Sequence, residues 1–333
     1  SPAAPPMVPR IPEMDLISVI PYEISRKLIT FISINKMKIS PYMRQIAPSE
    51  LIINSDGSIF HLHLRPGQLA TTIILVGDPG RVRQVSSHFE RIEAEAANRE
   101  FTTVTGTYKG KRMSVVSTGI GTDNIDIVVN EIDALFNIDF GTRTVKEEKT
   151  SLTLVRLGTC GSITPDLRIG DLILSRISVG FDGLLNYYHG RNEICELEIE
   201  QAFMEHTGWG RLLTAPYFVR CSEMLAKLFA DTTVEGMTIS APGFYAPQGR
   251  YLRLRPADPE LNGKIERFEY QGHRFTNFEM EGSALAGLSR LLGHEATTIC
   301  TVIAQRVALG MEPDYRPFVD KMIAMSLEKL SQI

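Results

Sequence analysis

The sequence predicts an α/β sandwich built around a mostly parallel or mixed sheet. Three observations carry this. Short, continuous β-branched runs such as Thr72–Val76 (TIILV) indicate buried strands. Several of these runs end at glycine-rich turns. Between them lie segments whose apolar residues recur at helical spacing.

Taken in order, the first 58 residues stand apart. Eight of the 18 prolines fall within the first 50 positions, so Ser1–Pro12 is expected to be extended or disordered. Met14–Ile39 is apolar but broken by Pro21, Glu23, Arg26 and Lys27, so no run is long enough to span a bilayer. The basic, apolar and small-residue layout of a secretory signal is missing as well. Residues 1–58 read as an N-terminal extension, either disordered or a packing arm, with Met37 as an alternative start. Residues 59–333 read as one core-forming domain.

Within that domain, Thr72–Val76 is a buried strand and Gly77–Gly80 the turn after it. Phe101–Tyr108 and Arg112–Ser117 alternate as a strand pair. Asp123–Phe136 carries Ile125, Val128, Val129, Ile132 and Leu135 on one helical face, with Asp123 as the expected cap. The polar stretch Gly141–Ser151 reads as a surface insertion. Leu152–Leu157 is a second buried strand, ended by Gly158. Asp171–Val179 and Val234–Ser240 read as further strands, Glu279–Leu292 as a helix and Thr297–Ile303 as a buried strand. Val319, Ile323, Leu327 and Leu330 line one face of a closing helix.

Composition narrows the function. With 35 Lys+Arg against 39 Asp+Glu the net charge is −4, which excludes a polybasic nucleic-acid binder. Cys160, Cys195, Cys221 and Cys300 form no C-x-x-C pair, so they read as reduced thiols of a cytoplasmic protein, with Cys300 in core packing. None of the seven histidines lies in H-E-x-x-H, so metalloprotease chemistry has no support.

The glycine turns carry the chemistry. Gly77–Arg81 (GDPGR), Ser117–Thr122 (STGIGT) and Gly158–Ser162 (GTCGS) match neither G-x-G-x-x-G nor the P-loop, so no dinucleotide cofactor or triphosphate is indicated. Arg81 closes the first turn and Arg156 precedes the third. Two planar guanidiniums beside backbone N–H groups suit a small oxyanion such as phosphate, against the alternative of two surface ion pairs. Asn277–Glu281 (NFEME) enters an apolar helix. Its two carboxylates, one position apart, are expected on different helix sides, one facing a ligand and one structural. Carboxylates accept well from vicinal hydroxyls; the alternative is that they complement the helix dipole. In Gly243–Tyr251 (GFYAPQGRY), Gln248 and Arg250 can read a nucleobase edge while Phe244 and Tyr245 pack on a ring, or the segment is a plain turn.

Together these pieces resemble the nucleoside phosphorylase family, and most closely its uridine-cleaving branch. The shared elements, in order, are FHL at Phe60–Leu62, GDPGRV at Gly77–Val82, REFTT at Arg99–Thr103, STGIG at Ser117–Gly121 and RLGTCGSI at Arg156–Ile163. GD at Gly170–Asp171, FYAPQGR at Phe244–Arg250, NFEMEG at Asn277–Gly282 and TVIAQR at Thr301–Arg306 follow. The resemblance implies a single-domain three-layer α/β/α sandwich around a mixed, partly barrel-like β-sheet, with residues 59–333 as its catalytic domain. It implies a pentosyltransferase, with uridine and phosphate as substrates and no cofactor.

The resemblance also implies roles. Phosphate would be held by Gly77, Arg81, Arg156, Gly158 and Thr159, with Arg99 reaching in from a neighbouring subunit. Ribose would be held by Glu279, Met280 and Glu281, with His61 reaching across a dimer interface to the 5′-hydroxyl. Phe244, Gln248 and Arg250 would hold the base, with Arg306 nearby and Arg250, Gln248 and Arg306 as the catalytic donors. The implied assembly is a homo-oligomer built from dimers with shared sites. His63, two positions from His61, would face the other side of an extended segment. Bacterial purine-cleaving members use an Asp after the last strand, whereas Val302–Arg306 has none, and they lack the Gln248/Arg250 pair. In some bacterial members a monovalent cation sits at the dimer interface; here its place would lie near Glu100, Ile120 and Asn124, with Asn124 standing where those members have Ser.

Overall fold

The computed structural model describes residues 44–306 and 310–333. The expectations for the proline-rich start and the broken apolar stretch concern residues 1–43, outside the described residues.

In chain order the strands are β1 (Thr72–Val76), β2 (Arg91–Asn98), β3 (Phe101–Tyr108), β4 (Lys111–Ser117), β5 (Ile138–Asp139), β6 (Thr144–Val145) and β7 (Thr153–Ser162). Next come β8 (Leu172–Gly180), β9 (Tyr217–Arg220), β10 (Val234–Ser240), β11 (Glu269–Tyr270), β12 (His273–Glu279), β13 (Glu295–Gln305) and β14 (Gly310–Met311). The helices are α1 (Pro79–Ser86), α2 (Thr122–Asn137), α3 (Arg191–Ile194), α4 (Leu197–Thr207), α5 (Glu223–Phe229), α6 (Leu261–Glu266), α7 (Gly282–Leu292) and α8 (Arg316–Leu330).

The main sheet runs β11-β12-β10-β8-β13-β7-β1-β4-β3-β2. β1 lies parallel to both β4 and β7, β7 parallel to β13, and β8 parallel to β10, while β13 and β8 are antiparallel. A further antiparallel pairing joins β12 back to β7, through Phe278↔Gly161 and Asn277↔Ser162. Strands β7, β13, β8, β10 and β12 therefore close into a ring, and the sheet is mixed and partly barrel-like as expected.

Burial on both faces explains the apolar runs. In β1, Ile73 and Leu75 face a core shared with α2 and α7, while Ile74 and Val76 face a second core shared with α1, α5 and α8. Alternation thus sends Ile73 to Val76 by turns into two cores, which is why these four positions are all apolar. A third core packs α4 and α6 against β8, β10 and β12. Its centre is Phe203, whose ring meets those of Phe181, Trp209, Phe218, Phe268 and Phe275.

Four boundaries differ from the sequence reading. The turn after β1 is itself a helix start: Asp78 caps α1, accepting from Gly80 N–H at 2.8 Å, and Pro79 opens it. Asp123 is not a cap. Helix α2 begins at Thr122 behind Gly121, whose φ of +100° a side chain would strain, and Asp123 complements the dipole from the first turn. β7 does not stop at Gly158 but runs on to Ser162, because the missing side chain leaves room for the Arg156 guanidinium. Glu279 ends β12, and α7 starts only at Gly282.

Strand β2 was not legible, since Arg91–Asn98 alternates charged with small residues and is solvated along its length. The segment Phe60–Leu62 is a turn, not extended, and His63 has φ +51°. Gln45–Ile333 form one compact unit, so residues 45–58 belong with the core: Leu51 is buried there. The insertion Gly141–Ser151 holds this segment. Arg143 donates to the carbonyls of Ile46 at 3.1 Å and of Leu51.

Phe203→Ala is expected to lower stability by about 3–5 kcal/mol, the usual cost of emptying a buried aromatic site. Urea denaturation followed by tyrosine and tryptophan fluorescence measures it; a loss below about 1 kcal/mol would show that this cluster does not organise the ring.

Candidate active site

The carboxyl ends of β1, β7, β12 and β13 open into a cleft of about 1280 Å³. Such edges leave backbone N–H groups and strand-end side chains facing one space. The deepest feature is Arg156. It lies mid-strand on β7, and its side chain is 6% exposed. Its Nη2 bonds the Glu281 carboxylate, and Nη1 lies 3.3 Å from Glu279 Oε2. Burial disfavours the Arg156 charge, but the carboxylates of Glu281 and Glu279 more than offset it and hold the guanidinium firmly charged. Burial also raises the Glu281 pKa, with Arg156 opposing.

The two carboxylates do not diverge as a helical spacing would have them. Because β12 ends at Glu279 and α7 starts after Glu281, both side chains turn to Arg156. Their tasks differ. Glu279 accepts from the N–H groups of Glu281 (2.9 Å) and Gly282 (2.9 and 3.0 Å) and from the Ser240 hydroxyl, so it serves the start of α7. Glu281 accepts from Gly121 N–H at 2.7 Å and otherwise only from Arg156, and it lines the cleft beside Met280.

Behind Glu279 runs a buried network that sequence reading missed. Ser283 N–H donates to Ser240 Oγ at 2.8 Å, and the Ser283 hydroxyl donates to Asp182 at 2.9 Å. Tyr217 O–H donates to Asp182 at 2.9 Å and to Ser283 at 3.0 Å. Burial raises the Asp182 pKa. These residues come from four separate elements, so no local pattern could signal them.

Arg81 projects from α1 into the same end of the cleft and is buried, not a surface ion pair. Its Nη1 donates to the Leu157 carbonyl at 3.2 Å. Burial and the like charge of Arg156 both lower its pKa. Two guanidiniums that repel each other beside the Gly77 turn and Thr159 make this end fit for a small oxyanion. Gly158 lies beneath the floor, where a Cβ would collide with Arg156.

The other end is built by the loop after β10. Gln248 is buried and Arg250 half-buried; Arg250 Nη1 donates to Gln248 Oε1 and, at 2.8 Å, to the Phe244 carbonyl. The Arg250 guanidinium lies 3.9 Å above the centre of the Phe244 ring. Arg306, from the end of β13, donates to the Gln248 carbonyl at 2.9 Å. Burial, together with the charge of Arg306, pushes Arg250 down to about 10, still charged at neutral pH. Tyr251, Leu252, Ile303, Met311 and Cys160 complete the walls. The first two directly follow the Gln248/Arg250 pair, a signal available in the sequence but not used.

Glu100, Ile120 and Asn124 also border the cleft. Asn124 turns its amide nitrogen to the Ile120 carbonyl, at 3.4 Å. Glu100 and the Ile120 carbonyl bring oxygen ligands to this spot, and Asn124 would add one through its amide oxygen. Two expected residues, Arg99 and His61, do not line the cleft of their own chain. Arg99 is exposed at the tip of the β2–β3 hairpin, and His61 lies against α2.

The chain belongs to the phosphorylase superfamily, which it matches over residues 71–333. Among its relatives it is 32% identical over 261 residues to the uridine phosphorylase of Thermococcus kodakarensis, an alignment covering 76% of this chain and 79% of that protein. It is 29% identical over 262 residues to the uridine phosphorylase of Escherichia coli, covering 76% and 88% of the two chains. Among solved structures, a nucleoside phosphorylase of Trypanosoma brucei, described as showing uridine phosphorylase activity, matches with a TM-score of 0.77 and 31% identity. That match covers 85% of this chain and 100% of the other.

Glu279→Ala is expected to cost about 3–5 kcal/mol, because it strips a buried arginine of one partner and leaves helix N–H groups bare. Glu269→Ala on exposed β11 should stay within about 0.5 kcal/mol. Matched chemical denaturation curves check both, and equal midpoints would refute the role given to Glu279.

Proposed function

We propose that this protein is a uridine phosphorylase: uridine and phosphate give uracil and ribose 1-phosphate, reversibly, in pyrimidine salvage. The observation that carries the reading is one cleft with the buried Arg81–Arg156 pair at one end and the Gln248–Arg250–Arg306 cluster at the other. An anion-binding end and a base-edge-reading end are what a nucleoside cleaved by phosphate requires. The activities ascribed to the relatives support the same reading.

In this reading Arg81, Arg156, the Gly77 turn and Thr159 hold phosphate, with Gly158 leaving room for the Arg156 side chain. Glu281, with Met280 beneath the sugar, accepts from the ribose hydroxyls, while Glu279 keeps Arg156 and the start of α7 in place. Phe244 packs on the uracil ring, and Arg250 and the Gln248 amide nitrogen donate to its edge, with Arg306 fixing Gln248 through its carbonyl.

As the N-glycosidic bond breaks, electrons pass to uracil and the sugar becomes oxocarbenium-like. Arg250 and Gln248 meet a base whose negative charge grows, so they bind the transition state more tightly than neutral uridine. Phosphate, held as an anion beside C1′, then closes the new C–O bond. Arg99 and His61 are supplied from the neighbouring subunit in a homo-oligomer built from dimers, which accounts for their position outside their own cleft. The four cysteines are free, which suits a cytoplasmic enzyme; among the described residues no helix is long and apolar enough to cross a membrane.

Purified protein incubated with uridine, thymidine, inosine or adenosine, with and without phosphate, tests this. Uracil release that requires phosphate is expected. Cleavage of inosine without uridine would overturn the base assignment, and cleavage without phosphate would make the protein a nucleosidase. Arg250→Ala is expected to lower kcat with uridine by about 10²–10³, the usual cost of one such donor, while phosphate KM changes little. An unchanged kcat would refute the role of Arg250.

A further inference from the structure

Helix α2 carries a carboxylate that the cleft does not use. Glu131 lies nearly three turns beyond Gly121 and turns to the Phe60–Leu62 segment. Its Oε1 is 2.6 Å from His61 Nδ1, and Oε1 and Oε2 accept from His61 N–H at 3.0 and 3.1 Å. Oε2 also accepts from Leu62 N–H at 2.9 Å. The Glu131 side chain is 13% exposed and that of His61 is 26%.

From this geometry we infer that Glu131 is the positioning residue for His61: it fixes both the place and the tautomer of the imidazole. The backbone pair pins the turn, so the ring cannot slide along α2. A carboxylate oxygen only accepts, so Nδ1 carries the ring proton. In the neutral ring Nε2 is then left with a free lone pair, a hydrogen-bond acceptor on the outer side of the ring. The rings of Phe60 and Phe101, with centroids 4.7 and 6.3 Å away and both edge-on, restrict the tilt of the imidazole.

A second tie sets the direction. Asn98 Nδ2 donates to the His61 carbonyl at 2.8 Å, and Asn98 is the last residue of β2, next to Arg99. His61 and Arg99 are therefore presented together, from one rigid patch, away from their own cleft. An imidazole with Nε2 bare suits a primary hydroxyl donor, the 5′-OH of a nucleoside in the neighbouring subunit. The inference rests on the proposed function and on His61 reaching that hydroxyl.

The test compares wild type, His61→Ala, Glu131→Gln and Glu131→Ala on uridine and on 5′-deoxyuridine, which lacks the hydroxyl. Both Glu131 variants are expected to lose about tenfold in kcat/KM on uridine, mostly through KM, and to match wild type within about twofold on 5′-deoxyuridine. A purely structural role would depress both substrates equally, and that result overturns the inference. If His61→Ala lowers kcat/KM equally on both substrates, the reading of His61 falls first, and this inference with it. Two-dimensional ¹⁵N–¹H spectra of the imidazoles, assigned by the signal missing in His61→Ala, give a check without turnover. Nδ1 protonated and Nε2 bare is expected in wild type, with the pattern altered in Glu131→Gln; a protonated Nε2 in wild type overturns it.

Discussion

The buried guanidinium of Arg156 is the constraint on which the rest of the site depends. A charge so deep is tolerable only with partners. Two carboxylates from one short strand-to-helix junction supply them. To place those carboxylates, β12 must end at Glu279 and α7 must start three residues later, at Gly282. To make room for the guanidinium, position 158 must lack a side chain. To keep Glu279 aimed, the hydroxyls of Ser240 and Ser283 and the Asp182 carboxylate must stay dry and paired. The ring of five strands is the frame that brings these separate segments together.

Much of this was legible in the sequence. The apolar run of β1 announced a buried strand, and the positions of Val319, Ile323, Leu327 and Leu330 announced the closing helix. The paired glycine turns with their arginines pointed to an oxyanion end. What was illegible has physical reasons. Glu279 and Glu281 were read with helical spacing, which separates them, whereas a strand end followed by a helix start lets them converge. Gly158 was read as a stop, because a glycine missing its side chain for another residue's benefit looks like a glycine in a turn. The Asp182–Tyr217–Ser283 network exists only through tertiary contact, so no spacing records it. Strand β2 offers the core only small apolar residues such as Ala96, set between charged neighbours, so its pattern is faint and its pairing with β3 reveals it.

Helix α2 joins two duties. The backbone amide of Gly121, which precedes it, holds Glu281 in the chain's own cleft, and Glu131 further along holds His61 outside that cleft. The sixteen-residue helix is packed through Ile125, Val128, Val129, Ile132 and Leu135 into the core shared with α7. Both holds are therefore set by one packed body. The orientation of the residue lent outward and of the carboxylate kept inward follow from the same apolar face.

The closure of β12 onto β7 has a further consequence for the molecule among its copies. A ring has no free margins, so among the described residues the unpaired backbone of the main sheet lies at its two ends and on the short strands β9 and β14 beside it. One end is the two-residue strand β11, too short to template another chain. The other is β2, whose Arg91, Glu93 and Glu95 are charged and whose neighbour Arg112 ties Glu93 at 2.7 Å. A sheet with so many apolar strands would otherwise be prone to grow by adding strands from other molecules. Here the strands richest in valine and isoleucine sit inside, and what remains at the margins discourages strand-by-strand aggregation during folding.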